Sequence, residues 1–300
     1  MGIQQGSMEK MFYRKFIFDH WQIAYRVKGK EKFILLPNPD WGWAADPFPV
    51  VYQDVVYIFA EVFLYKTERK GVIAYCRFEN EKFTDWTVSM DKHWHLSYPN
   101  VFVREGRLYM CPESRQNDEI AIYELKEFPD RWEKVKVLLD NVQCVDTTFC
   151  TYQGEKYMFT FQSQKGGIKG KLYLYKLDGD KLSEGRIVSE DMGTENARPG
   201  GRIIYKERKL FRVSQSGLNG YGSGLVFNEI DSFFPMYKEH EIKRMTTGDI
   251  NGCWNRKFLG LHTYNRIEEM EVIDLKYRVF SLPEYWARRR IRKVFLEKYR

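Results

Sequence analysis

The chain has 300 residues, 43% of them hydrophobic and 16% aromatic, which is too apolar for a disordered polymer and long enough for one large domain or two ordinary ones. Its net charge is +7, but residues 288–300 hold seven basic side chains against one acidic one, Glu297, and so carry +6 of it. The remaining 287 residues are nearly neutral, which excludes a surface coated for nucleic acid.

The opening Met1-Gly2-Ile3-Gln4-Gln5-Gly6-Ser7 reads as an expression leader, with Met8 as the natural start. No apolar segment of signal-peptide or membrane-spanning length follows, since the longest runs, such as Val55-Val56-Tyr57-Ile58-Phe59-Ala60, are strand-sized. Five cysteines without paired CxxC spacing fit reduced thiols and a cytoplasmic location better than a disulfide framework or a zinc site. Trp21-Gln22-Ile23-Ala24-Tyr25-Arg26 is a strand whose natural partner is Met270-Glu271-Val272-Ile273-Asp274-Leu275.

From residue 46 the chain repeats a plan of about fifty residues: a polar or Pro-containing marker, an apolar run, a turn, then a second apolar run ending in a polar group. The five segments open at Asp46, Tyr98, Asp146, Arg198 and Asp249, spaced by 52, 48, 52 and 51 residues. Their second runs end at Glu61, at Glu113, at Gln162, at Gln215 and, less regularly, around His262. Short β-branched and aromatic runs between Gly, Asp, Asn and Lys turns predict four strands per repeat. Five such units describe an all-β, five-bladed β-propeller over residues 8–282. A TIM barrel would need a helix in every repeat, and no 3.6-residue apolar period is sustained.

The first strand of each propeller blade lines the central channel, so its opening residues converge although fifty residues separate them. Three Asp and one Arg in equivalent ring positions predict an axial pocket. His95, beside Trp94, is a proton-transfer candidate or a hydrogen-bonded structural histidine. Trp41 and Trp43, just before Asp46, suit stacking on a sugar ring or packing between blades. Gly217, Gly220, Gly222 and Gly224 make a flexible loop around Tyr221, with no phosphate-binding or dinucleotide fingerprint. No cofactor is expected. A single axial ion held by His262 and an Asp is left open.

Ala45-Asp46-Pro47-Phe48 and Asp146 resemble the five-bladed propellers of the arabinanase, xylosidase, invertase and levansucrase clan. That resemblance implies Asp46 as base or nucleophile and Asp146 as its supporting carboxylate. The clan's general-acid Glu opens blade four, where this chain has Arg198. Arg198 cannot donate a proton at neutral pH, but it can clamp a phosphate or an acidic sugar. Glu113, or Glu195 three residues before Arg198, is the alternative acid.

A longer ordered series runs from Ala44-Ala45-Asp46-Pro47-Phe48 and Glu61 through His95-Leu96-Ser97-Tyr98-Pro99, Cys111-Pro112-Glu113-Ser114, and Phe128-Pro129 with Trp132. It continues through Asp146-Thr147-Thr148, Ala197-Arg198-Pro199-Gly200-Gly201-Arg202, Gln215 and Tyr221-Gly222 to Leu261-His262-Thr263-Tyr264-Asn265. This series resembles the N-terminal domain of glucosamine inositolphosphorylceramide transferase and its bacterial relatives. It implies a carbohydrate-active protein of glycan assembly that transfers or processes a glycosyl group. A glycoside hydrolase using paired carboxylates and a non-catalytic sugar-binding scaffold are the alternatives. The expected catalytic residues are Asp46, Asp146, Glu113 and His95. Glu61, Arg198, Gln215, Tyr221, His262 and Trp43 are expected to bind a carbohydrate, sugar phosphate or nucleotide sugar.

From Pro283 the pattern changes. Ala287, Ile291, Val294 and Phe295 share one face of a basic amphipathic helix spanning 283–300, with Tyr285 and Trp286 at its start. Such a helix suits an anionic membrane surface or a partner protein, and so a peripheral place at the inner face of a membrane.

Overall fold

The computed structural model describes residues 15–65, 70–163, 169–179, 181–191, 195–252, 254–287 and 289, without the side chains of Glu190, Asp191 and Glu195. It is nearly all strand, arranged as five antiparallel sheets around one axis. Blade one is built on Gly42–Tyr52, Val55–Leu64 and Gly71–Glu79, and blade two on Ser97–Arg104, Arg107–Glu113, Glu119–Glu127 and Arg131–Asp140. Blade three is built on Cys144–Tyr152, Glu155–Ser163 and Gly170–Asp178, and blade four on Glu195–Pro199, Lys209–Ser216, Gly224–Ser232 and Lys238–Met245. Shorter strands complete the outer edges.

Blade five is assembled from both ends of the chain. Its inner strand is only Tyr264–Arg266, followed outward by Met270–Phe280, Ile17–Val27 and Ile34–Leu35. Eleven residue pairs, from Ile17↔Phe280 to Val27↔Met270, zip the N-terminal strand onto the C-terminal one and close the ring. The repeat plan puts Leu259–Tyr264 in a second strand. In the structure that stretch instead leads into the innermost one, because the N-terminal segment supplies the third strand.

Each blade packs both faces against its neighbours, so its central strands read as continuous apolar runs rather than alternating ones. Blades one and two share Phe48, Phe59, Tyr98 and Met110, while blades five and one share Ile23, Ala60, Val72 and Val272. The two–three seam is thinner, with Cys111, Ile120, Cys144 and Met158 fully buried. Two tryptophans tie adjacent units: Trp132 Nε1 donates to Ser89 Oγ at 2.9 Å, and Trp86 Nε1 donates to the Pro37 carbonyl at 2.9 Å. Cys76, Cys111, Cys144 and Cys150 are buried free thiols, and Cys253 lies outside the described residues.

A helix starts at 282. Its first turn is fastened to blade five by His20 Nε2 and Glu284 Oε2 at 2.8 Å, and by Tyr285 against the Phe16 ring at 4.5 Å. The expected basic face falls almost entirely at 288 and 290–300, outside the described residues. No described helix is long and apolar enough to cross a membrane.

Candidate functional site

The inner strands of blades one to three break register at the same place. The pairing skips between Ala45 and Phe48, between Ser97 and Asn100, and between Val145 and Thr148. The extra residues form β-bulges in which Asp46, Tyr98 and Asp146 take left-handed backbone angles, with φ of 50°, 41° and 52°. A non-glycine residue in that region is uncommon, and a bulge re-aims its side chain. Here the result is a cluster of polar groups on the axis.

Blade four departs from the pattern. Its left-handed residue is Asn196, with φ of 65°, and Arg198 sits two residues later. Asn196 bonds sideways to Ser214 and Asn228 within its own sheet. Arg198 is therefore not the ring equivalent of Asp46 that the marker spacing suggests, though its long side chain still reaches the axis. Asp249 does not reach it. It is exposed and accepts hydrogen bonds from Thr246 N–H and Oγ1 in a capping box. Blade five contributes His262, Thr263 and Asp274 instead.

Asp46 is buried. Its Oδ1 accepts from Thr263 Oγ1 at 2.6 Å and its Oδ2 from the Tyr98 N–H at 3.3 Å, with His262 Nε2 3.8 Å from Oδ1. Burial, opposed by His262 and assisted by Asp274 and Asp146, raises its pKa to about 6. Asp274 accepts from His262 Nδ1 at 2.6 Å and from the backbone N–H groups of His262, Thr263 and Asp46. Burial would raise the Asp274 pKa, but these partners hold it below the ordinary value. Burial likewise depresses His262, and Asp274 and Asp46 more than offset that, so His262 favours its cationic form. Trp21 covers the imidazole face at 3.9 Å and 14°.

On the other side, Asp146 Oδ2 accepts from Arg198 Nε and, at 3.0 Å, from Gln215 Nε2. Arg198 Nη2 lies 4.0 Å from Glu113 Oε2. Burial, then the Asp146 charge, pushes Glu113 up to about 8, with Arg198 opposing. Glu61 is pushed well above the carboxylate range by burial and by the neighbouring Asp46 and Glu113. Two buried acceptors in this half, Glu113 Oε2 and Gln215 Oε1, have no donor.

The remaining expected residues form the rim. His95 Nδ1 accepts the Gly71 N–H at 2.8 Å, so its Nε2 carries the hydrogen, 3.6 Å from Glu61 Oε1. Burial lowers His95 to about 4, making it a neutral donor rather than a proton shuttle near pH 7. Tyr221 is 43% exposed, stands edge-on to His262 at 5.3 Å, and lies 5.5 Å from the Arg198 guanidinium. Trp43 is half-buried, stacked on Phe63 at 4.9 Å, whereas Trp41 packs into the blade five–one core. The Glu195 side chain lies outside the described residues.

The donor atoms of Asp46, His262 and Asp274 fall within 4.8 Å of one another, the one such grouping among the described residues. Asp274 is already occupied by three backbone N–H groups and His262. That leaves Asp46 and, only once it has given up its proton, His262 Nε2 as the atoms that could share a cation.

The profile of the family described as Glucosamine inositolphosphorylceramide transferase 1, N-terminal, matches residues 37–272. The chain belongs to this family. Among curated relatives, glucosamine inositolphosphorylceramide transferase 1 of Oryza sativa subsp. indica is 30% identical over 199 residues, 63% of this chain and 26% of that protein. The Arabidopsis thaliana protein of the same name is 29% identical over 196 residues, 62% of this chain and 25% of its own. The chain thus matches about a quarter of the length of these relatives.

Among solved structures, the alpha-L-arabinofuranosidase of Podospora anserina in complex with cellotriose superposes with a TM-score of 0.60 at 12% identity, over 85% of this chain and 97% of that one. RS223-Beta-xylosidase gives 0.52 at 14% identity, over 78% and 92%. At these identities the likeness concerns the fold. The family membership supports a carbohydrate-related role.

Proposed function

We propose that the axial pocket transfers or processes a glycosyl group, with Asp46 as base or nucleophile and Glu113 as the proton donor to the leaving oxygen. The observation that carries this reading is the split between two buried carboxyls in one cluster, Asp46 near 6 and Glu113 near 8. Between those values Asp46 is ionised while Glu113 keeps its proton, the division of labour that cleavage of a glycosidic bond requires. Glu113 loses its proton to the leaving group, and Asp46 attacks the anomeric carbon or takes the proton of an incoming hydroxyl.

Arg198 is spent on Asp146 and Glu113, so in this reading it holds the carboxyl cluster together rather than clamping an anionic substrate. Glu113 Oε2 and Gln215 Oε1, buried without a hydrogen-bond partner, would gain one only if a ligand hydroxyl opened a path to them. Tyr221 and Trp43 offer aromatic surface at the mouth.

The transferase name of the curated relatives favours a sugar acceptor over water. Hydrolysis would use the same pair of carboxyls. Incubation of the protein with nucleotide sugars and with free oligosaccharides, followed by mass spectrometry, separates the two. Transfer to an added acceptor supports the first, and release of free sugar from oligosaccharides alone overturns it.

The C-terminal segment is assigned a separate role in this proposal, contact with an anionic membrane surface. Ile17, Phe280, Leu282 and Trp286, between 40% and 57% exposed, surround the start of the helix, and the basic residues follow directly in the sequence.

A further inference from the structure

A cavity opens at the other end of the channel, between blades four and five. Asp274 and Met270 lie on the same strand, four residues apart, so at about 3.3 Å per residue Met270 stands roughly 13 Å beyond the axial cluster. Around Met270, blades four and five diverge to leave a cavity of about 790 Å³, within the range of ligand-sized sites. Arg202 forms its boundary with the channel. Its Nη1 donates to the Pro49 carbonyl at 2.7 Å and its Nη2 to the Val101 carbonyl, three residues below Asp46 and Tyr98 on their strands. The guanidinium thus closes the channel beneath the carboxyl cluster, and Arg202 is also part of the lining of this cavity.

The lining carries five cations and two carboxylates. Arg26 pairs with Glu271 and Lys28 with Glu268, which uses up both acids. Arg202 rests on two main-chain carbonyls and over the Phe48 ring at 5.1 Å, with no carboxylate partner among the described residues, and Lys30 and Arg266 likewise have no ion pair among them. Three basic residues without a carboxylate partner thus line one concave space in a propeller that is otherwise nearly neutral. Burial also lowers the Arg202 pKa to about 10, the mark of a charge that lacks a counterion. Guanidinium groups favour planar, bidentate oxyanions.

We infer that this cavity is a binding site for a phosphate-bearing ligand of about three negative charges, such as a diphosphate, separate from the axial pocket. Val27, Ile203 and Met270 give the wall beside the cations an apolar part against which the rest of such a ligand can lie.

The test is calorimetric titration of the full chain with inorganic pyrophosphate at fixed ionic strength. It is repeated on the double variant Lys30→Glu/Arg266→Glu and on Asp46→Asn. Lys30 and Arg266 sit on the surface, so the melting temperature of the ligand-free double variant should match that of wild type. Saturable binding is expected to weaken at least about tenfold in the double variant and to stay unchanged in Asp46→Asn. Phosphatidylcholine vesicles with and without phosphatidic acid distinguish a lipid headgroup from a soluble ester. Binding only to phosphatidic acid vesicles, lost in the double variant, supports the same site with a lipid-borne phosphate. Absence of binding to either probe, equal binding by the double variant, or loss in Asp46→Asn alone would overturn the inference.

Discussion

Asp46 and Glu113 share a buried cluster, yet their neighbours separate them: Asp46 has the His262 cation and the Thr263 hydroxyl, while Glu113 faces Asp146. Turnover should follow a bell-shaped pH profile with limbs near 6 and 8, read from initial rates between pH 5 and 9. A flat profile through that window would contradict the assignment. Arg198 lowers Glu113, so Arg198→Met should move the alkaline limb upward. Most of this cluster was legible from spacing alone, because Asp46, Asp146, Glu61, Glu113 and Gln215 stand at repeated positions. Asp274 was not. It sits inside Val272-Ile273-Asp274-Leu275, and although the pairing of that strand with Trp21–Arg26 was readable, nothing in a lone acid in an apolar strand showed that it would hold His262 and Thr263. Thr263 and Trp21 were missed because their contacts with Asp46 and His262 leave no mark in the spacing. Asp249 misled, since a turn-capping Asp and an axial Asp look alike when only spacing is available.

At the scale of elements, the bulge explains how a strand can aim a carboxylate at the axis, and close packing explains how blades four and five meet. Gly201 has φ of 144°, and a Cβ there would lie 2.0 Å from the Tyr264 carbonyl oxygen, a backbone atom that cannot step aside. Gly201→Ala should therefore cost more than about 2 kcal/mol in urea unfolding. Gly29→Ala, with φ of 79° but open space around it, should cost only about 1 kcal/mol. Equal losses would show that backbone angle, not the blade contact, governs both. For the C-terminal helix, deleting 288–300 should leave the melting temperature unchanged and reduce sedimentation with anionic vesicles. Undiminished sedimentation would refute the membrane assignment. The helix start was readable from Pro283 and the apolar spacing. Its fastening through Glu284 and Tyr285 was not, since both depend on where His20 and Phe16 lie after ring closure.

For the whole molecule, five repeats predict a ring, but the fifth blade is regular only once the two chain ends are joined, which is why its repeat was the least legible. The concentration of carboxyls on the axis also sets the pH dependence of stability. Glu113 rises from an ordinary 4.5 to about 8 on folding, and Asp46 from 3.8 to about 6. Raised acids favour the folded state fully below their unfolded values and lose that contribution as pH climbs through the folded ones. The melting temperature should therefore fall between pH 5 and 8, and Glu113→Gln should flatten the fall. An identical slope in that variant would place the effect elsewhere. The central claim, that the axial carboxyls perform glycosyl chemistry, is tested most directly by turnover of a nucleotide-sugar and oligosaccharide panel. The proteins compared are wild type, Asp46→Asn, Glu113→Gln and, as a surface control, Asp249→Asn. Asp46→Asn and Glu113→Gln should lose at least about a hundredfold in turnover with an intact fold, and Asp249→Asn should turn over like wild type. Full activity in Asp46→Asn would contradict that claim.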